Sequence, residues 1–279
     1  MMKIIVCGAG TMGTGIAEIS ARSGYTTLLY EPRTEALEHA EASIRKNLKS
    51  LYEKSKISEQ EIKDTMGRLK FSSDLDQCKG DLVIEAIIED VAIKSALFNQ
   101  LAAMNSPHTI LASNTSSLSV GAIADNIPAP ERFCGMHFFN PAQLMKLVEL
   151  VYTPATSVDT IQKMKEVAIS MGKTPVVCRD SPGFIVNRVA RHYYLEALQL
   201  LALDITSVEQ ADRIMENAGF KMGPFRLMDL IGNDINFTVT KSLYEACGKP
   251  IRFRPSPIQE DKIRKGELGR KSGKGYYSY

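Results

Sequence analysis

The run Lys3-Ile4-Ile5-Val6-Cys7 leads into Gly8-Ala9-Gly10-Thr11-Met12-Gly13, and a second apolar stretch, Tyr25 to Tyr30, ends at the acid Glu31. Between the two lies a helical pattern. A G-x-G-x-x-G alone is weak evidence, because glycine-rich turns are common. Set between a strand and a helix, with an acid closing the next strand, it matches the dinucleotide-binding fingerprint. The three glycines do different things. Gly8 permits the tight turn, Gly10 lets a pyrophosphate approach the backbone, and Gly13 lets the helix pack on the strand. Ala9, Thr11 and Met12 complete the loop, and the helix N-terminus presents N–H groups and a partial positive charge to phosphates. Glu31 is placed to accept hydrogen bonds from adenosine ribose hydroxyls. Its charge repels a 2′-phosphate, which favours NAD over NADP, while Arg33 nearby could accommodate that phosphate. FAD is a rival ligand, and a βαβ turn without any nucleotide is the bland alternative.

Composition narrows the class. With 279 residues, 44% of them hydrophobic and 24% charged, the chain is long enough for one large or two ordinary domains. A net charge of +2 points to neither nucleic acid nor a membrane surface. There is no basic-then-apolar leader and no apolar run near the ~18 residues of a span, so a cytoplasmic protein is expected. Cys7, Cys78, Cys134, Cys178 and Cys247 are scattered and none is spaced for a metal. Reduced, buried thiols and no metal site are expected.

Residues 34–66 are almost entirely helix-forming, and Ser58 with Glu61 makes a capping-box pattern, so a helical hairpin is expected there. Short strand candidates follow at Leu69–Phe71, Leu82–Glu85, Thr109–Ala112, Phe133–Met136, Lys146–Val151 and Thr174–Val177, most with helical segments between them. Beyond Ser181-Pro182-Gly183 no β run stands out. Ser181 as N-cap with Pro182 at the first helical position predicts a helix to about Leu203. A second helix should open at Thr206 with Glu209 and end near Gly219; a pair over Pro224–Leu230 and Asn233–Ala246 follows. The fold class is therefore α/β, a Rossmann-type doubly wound sheet with a helical-hairpin insertion, followed by a smaller all-α domain. Residues 1–181 form the first domain and 182–279 the second.

Four segments carry candidate chemistry. Ser113-Asn114-Thr115-Ser116-Ser117 follows a strand, so its hydroxyls and amides face the carboxyl edge of the sheet. His137 lies in Gly135-Met136-His137-Phe138-Phe139-Asn140-Pro141, and Glu149 falls inside the next strand candidate. Asn187 lies in Pro182-Gly183-Phe184-Ile185-Val186-Asn187-Arg188. Oxidising a secondary alcohol needs a base for the hydroxyl proton and an acceptor for the hydride. Imidazole titrates near neutral pH and suits the base role, and a carboxylate on its other nitrogen would fix the tautomer. A lone histidine beside two phenylalanines is more often structural, but Glu149 between Leu147-Val148 and Leu150-Val151 would be costly without a partner.

On these motifs, together with Met222-Gly223-Pro224-Phe225 and Gly269-Arg270-Lys271-Ser272-Gly273-Lys274-Gly275-Tyr276-Tyr277, the chain resembles the L-3-hydroxyacyl-CoA dehydrogenases, especially the bacterial 3-hydroxybutyryl-CoA type. The resemblance runs along essentially the whole chain. It implies that His137 and Glu149 form a catalytic dyad, that Ser116 holds the substrate oxygen (Ser117 competing for the role), and that Asn187 stabilises charge on substrate oxygens. It further implies cofactor contacts at Glu89, Lys94, Asn140 and Lys271, an acyl-CoA substrate, and a homodimer built through the second domain. Arg45, Lys46, Lys49, Lys54 and Lys56 crowd the hairpin; the resemblance puts coenzyme A there, with Lys54 at the matching lysine. Two departures stand out: Asn47, a substrate-binding candidate with Lys54, replaces a serine of that arm, and Glu31 stands where an aspartate is commoner. A sugar-acid dehydrogenase of the L-gulonate type and a non-catalytic NAD-binding sensor or structural relative are the competing readings.

Overall fold

Strand β1 (Lys3–Cys7) is apolar at nearly every position because helices cover both faces of the sheet it centres. The structure is a computed structural model and describes residues 2–279. The chain divides into two compact units, Met1–Asp180 and Ser181–Tyr279.

In the first unit β1 is joined by β2 (Thr26–Tyr30), β3 (Leu69–Ser72), β4 (Leu82–Glu85), β5 (Ile110–Ser113), β6 (Phe133–Phe138), β7 (Leu147–Tyr152) and β8 (Thr174–Arg179). The order is β3-β2-β1-β4-β5-β6-β7-β8, the doubly wound pattern. Every pairing is parallel except β6 with β7, which run antiparallel. Helix α1 (Thr11–Arg22) packs over β1 and β2, and α2 (Thr34–Glu53) and α3 (Glu59–Arg68) form the hairpin. The capping box at Ser58 is reciprocal: the Ser58 hydroxyl accepts from the Glu61 N–H, and Glu61 accepts from the Ser58 N–H. Helices α4 (Val91–Met104), α5 (Val120–Ala124) and α6 (Val158–Ser170) complete the unit.

The second unit holds α7 (Val186–Ala202), α8 (Val208–Asn217), α9 (Pro224–Ile231), α10 (Asn233–Ala246) and α11 (Pro257–Arg264) around Tyr194, Leu198, Phe225 and Met228. Two sequence expectations are corrected here. Helix α7 begins four residues later than Pro182, because Gly183 and Phe184 take positive φ (73° and 47°) and close a turn from the Phe184 N–H to the Ser181 carbonyl. The cap of α8 is Ser207 with Gln210, one residue beyond the Thr206–Glu209 pair. Helix α11 has no counterpart in the sequence reading.

No described helix is long and apolar enough to cross a membrane. The cysteine thiols are free, and four of the five are buried. Among the described residues no cluster of His, Cys, Asp and Glu is arranged to hold a metal.

Candidate active site

Parallel register puts one row of residues at the carboxyl edge of the sheet: Tyr30 beside Cys7, Cys7 beside Glu85, Glu85 beside Ser113 and Ser113 beside Gly135. Each candidate loop of the first unit leaves from this row. The glycine loop follows Cys7, Glu31 follows Tyr30, and Asn114 to Ser117 follow Ser113.

The loop's glycines divide by what surrounds them. A Cβ on Gly8, at φ +106°, would lie 2.6 Å from the Ala86 carbonyl oxygen, and one on Gly13 would collide with that of Gly8. Both positions are set by the protein's own packing. A Cβ on Gly10 would meet no protein atom within 4 Å, and no side chain caps α1. The open side of Gly10 and the uncapped helix start suit a pyrophosphate, so the residues fit a dinucleotide. The Glu31 carboxylate accepts from the Ala9 N–H (3.2 Å) and from Arg33 Nε (2.8 Å). Burial pushes its pKa up, but the Arg33 and Ala9 hydrogen bonds outweigh this and hold it below the usual carboxylate range. The Arg33 side chain is 74% exposed and lies against Glu31. The two residues with opposing preferences for a 2′-phosphate are thus paired with each other.

A second cluster surrounds Lys94, 1% exposed on α4. Its ammonium lies 2.5 Å from Glu85 Oε1 and 3.1 Å from Glu89 Oε2. Glu89 Oε1 accepts from Thr115 Oγ1 (2.9 Å) and from the Ser116 N–H (2.9 Å), with the Ser116 hydroxyl 3.4 Å away. Glu89, Lys94 and Ser116, named separately from the sequence, therefore form one constellation. Its buried centre, Glu85, was missed as a site residue. The signal available was an acid ending an otherwise apolar strand. Desolvation raises the Glu85 pKa, opposed by Lys94, the Ser113 hydroxyl and the Ile87 N–H. Asn114 was missed too: its Oδ1 accepts from the Phe138 N–H (2.9 Å), tying the serine-rich loop to the histidine strand.

His137 and Glu149 are directly opposed in the antiparallel β6–β7 pair, which puts both side chains on one face of the sheet. Nδ1 of the imidazole lies 2.8 Å from Glu149 Oε2, with the residues 5% and 1% exposed. The Phe139 ring centroid is 4.5 Å from that of the imidazole. Asn140 is exposed immediately after this strand.

On the hairpin, Asn47 does not point away from the fold: its amide donates to the buried Glu18 on α1 (3.1 Å). Lys54 is exposed at the end of α2. Arg45 and Lys49 are paired with Glu41 and Glu53 on their own helix. In the second unit Asn187 lies in the first turn of α7, its carbonyl accepting from Arg191 Nε, and Lys271 is paired with Asp234 at 2.6 Å.

Residues 3–181 match the family model described as 3-hydroxyacyl-CoA dehydrogenase, NAD binding domain, and residues 183–279 match the C-terminal domain model of the same family. The 3-hydroxyadipyl-CoA dehydrogenase of Escherichia coli K12 is 45% identical over 100% of this chain, which spans only 59% of that protein's length. A probable 3-hydroxybutyryl-CoA dehydrogenase of Deinococcus radiodurans is 40% identical, with 100% of both chains covered. The crystal structure of (S)-3-hydroxybutyryl-CoA dehydrogenase from Ralstonia eutropha superimposes with a TM-score of 0.95 at 34% identity, covering 100% of this chain and 99% of that one. NAD is the dinucleotide of the first unit, and the chain belongs to the 3-hydroxyacyl-CoA dehydrogenase family.

Proposed function

We propose that this protein interconverts (S)-3-hydroxyacyl-CoA and 3-oxoacyl-CoA by NAD-linked hydride transfer, with 3-hydroxybutyryl-CoA as the expected substrate. The observation that carries this reading is the buried His137–Glu149 pair at the carboxyl edge of a dinucleotide-binding sheet. NAD supplies the hydride acceptor. The glycine loop from Gly8 to Gly13 holds its pyrophosphate, Glu31 takes the adenosine ribose, and Glu89 faces the nicotinamide ribose; Lys94, 1% exposed, acts on the cofactor through Glu89 rather than by the direct contact expected of it. Asn140 and Lys271 add contacts.

His137 is the general base. With Nδ1 engaged by Glu149, proton exchange with the substrate hydroxyl falls to Nε2. Glu149 fixes that tautomer and stabilises the imidazolium formed when the alcohol is oxidised. Ser116 holds the substrate oxygen and Asn187 stabilises charge developing on it. Lys54 takes the nucleotide end of coenzyme A, and Asn47, whose amide donates to Glu18, is the second candidate contact on the arm.

Initial rates on a series of 3-oxoacyl-CoA substrates, linear and ω-carboxylated, with NADH and NADPH side by side, test the reading. The four-carbon thioester with NADH should be fastest. A preference for the ω-carboxylated six-carbon substrate would move the activity toward that named for the Escherichia coli relative. Inactivity on every thioester would sink it.

The free thiols fit a reducing, cytoplasmic compartment. We further infer a homodimer through the second unit, where Val189, Ile205, Ile214 and Phe220 expose large apolar side chains. Light scattering decides this: a mass near 30.8 kDa that persists to micromolar concentration rejects the dimer.

A further inference from the structure

We propose that Glu85 is a positioning residue that sets two walls of the cofactor site at once, Glu89 through Lys94 and the serine-rich loop through Ser113. The proposal rests on the reading above, in which Glu89, backed by Lys94, faces the nicotinamide ribose and Ser116 the substrate.

Glu85 has no exposed surface, and the structure assigns a donor to each of its oxygens. Oε1 accepts from Lys94 Nζ (2.5 Å) and from the Ile87 N–H (2.7 Å); Oε2 accepts from the Ser113 hydroxyl (2.6 Å). Beyond these first partners the bonds run outward. Lys94 continues to Glu89 Oε2 at 3.1 Å, and Glu89 Oε1 accepts from the Ser116 N–H at 2.9 Å. Along the other branch, Ser113 Oγ accepts from the Thr115 N–H at 3.3 Å. Both branches end on the segment that carries Ser116.

Stability alone is a poor reason for this arrangement. A buried ion pair is often no better for folding than apolar side chains of the same volume, although removing one partner is costly. Here the second carboxylate of the lysine, Glu89, is 38% exposed and bonded to the loop. With Glu85 in place the ammonium is anchored from inside and Glu89 remains at the site. With Glu85 neutral, a fully buried ammonium keeps one carboxylate only, and Glu89 is drawn inward, away from Ser116 and the ribose. A fixed charge behind a flexible carboxylate confers precision of placement, and an error of about 1 Å there costs on the order of 100-fold in rate.

The experiment compares Glu85→Gln, Ser113→Ala and Glu89→Gln in the full-length protein. The readouts are NADH affinity by fluorescence titration, kcat and KM with 3-oxobutyryl-CoA, and the thermal midpoint. Glu85→Gln keeps size and should weaken NADH binding roughly tenfold and lower kcat about 10- to 100-fold, with thioester KM within about twofold. Ser113→Ala cuts one branch, so a kcat loss of roughly a few-fold at an unchanged thermal midpoint is expected; it also decides the matter if Glu85→Gln does not fold. A Glu85→Gln protein with a lowered midpoint but wild-type NADH affinity and kcat would show a purely structural acid and overturn the proposal. If Glu89→Gln weakens NADH binding while Glu85→Gln and Ser113→Ala are silent, positioning fails and the cofactor reading stands. If all three are silent, the assignment of Glu89 to the cofactor falls, and the proposal with it.

Discussion

The buried carboxylates Glu149 and Glu85 of the first unit and Asp212 and Asp229 of the second are satisfied differently. In the first unit Glu149 faces an imidazole and Glu85 faces an ammonium, partners that titrate or carry charge. In the second, Asp212 accepts from the Phe225 and Arg226 N–H groups and the Tyr277 hydroxyl, and a charged neighbour, the half-exposed Arg226 guanidinium, stands farther off at 3.7 Å. Asp229 accepts from the Tyr276 and Tyr277 N–H groups, the Asn233 amide and the Tyr279 hydroxyl. Asp212 acts as a remote cap for α9, whose own N-cap is glycine; Asp229 fastens the C-terminal tail. The tail's glycines follow from this: a Cβ on Gly275 would run into Asp229 Oδ1, and one on Gly269 into the Asp229 carbonyl oxygen. A buried acid held by main-chain donors builds structure. One held by a histidine or lysine can move a proton or place a ligand.

The sharpest way to break that contrast is at the imidazole. His137→Gln should lower turnover by ~10²–10⁴ while NADH affinity, read by fluorescence titration, is nearly intact. Glu149→Gln should lower turnover as well, through a misoriented and less basic imidazole. Wild-type turnover in either variant, with chemistry rate-limiting, would remove that residue from the dyad.

On the structural side, Asp212→Ala leaves two main-chain N–H groups and a tyrosine hydroxyl without their acceptor. A loss of about 3 kcal/mol in urea unfolding is expected, with NADH KM unchanged. A stability loss below about 0.5 kcal/mol, the scale of ordinary surface substitutions, would show that Asp212 is not the cap it resembles.

Glu31 lies between the two cases, held by both a backbone N–H and Arg33. The wild-type protein should prefer NADH over NADPH by at least roughly tenfold, about 1.4 kcal/mol. Glu31→Ala releases Arg33 and should erode that preference more than it lowers turnover. An NADPH preference in the wild type contradicts the assignment.

The smallest effect belongs to the exposed arm. Lys54→Glu should raise the KM of a CoA thioester by roughly a few-fold, in line with a solvent-screened contact, and leave an N-acetylcysteamine thioester unaffected. Equal effects on both substrates mean that Lys54 does not read the nucleotide end.

Local signals carried well where the interaction is local. The glycine loop, the Ser58–Glu61 box and the positions of the eight strands follow from turn chemistry, capping and apolar runs over a few residues. The start of α7 did not, because Ser181-Pro182 is a sound helix opening and nothing in Phe184 as a residue type announces φ +47°. Nor did the α8 cap: Thr206 and Ser207 are both competent, and the helix is capped by the second, with Gln210 completing the box. His137 and Glu149 were recognisable as residue types within a familiar motif, and Asn47 as a departure from it. That Asn47 turns to Glu18 depends on how the arm lies against α1.

Short-range periodicity and backbone sterics were enough to read the doubly wound sheet and the all-helical second half and to point to a dinucleotide; NAD itself came from the family. How the charged side chains are brought together depends on strand register in the folded sheet. The antiparallel register of β6 and β7 puts Glu149 opposite His137, and the parallel register of β4 and β5 puts Glu85 beside Ser113. Slipping either strand by one residue would turn those side chains to the other face of the sheet. Register is fixed by the packing of the whole sheet against its helices; the resemblance named His137 and Glu149 as partners, whereas nothing local in the sequence joins Glu85 to Ser113.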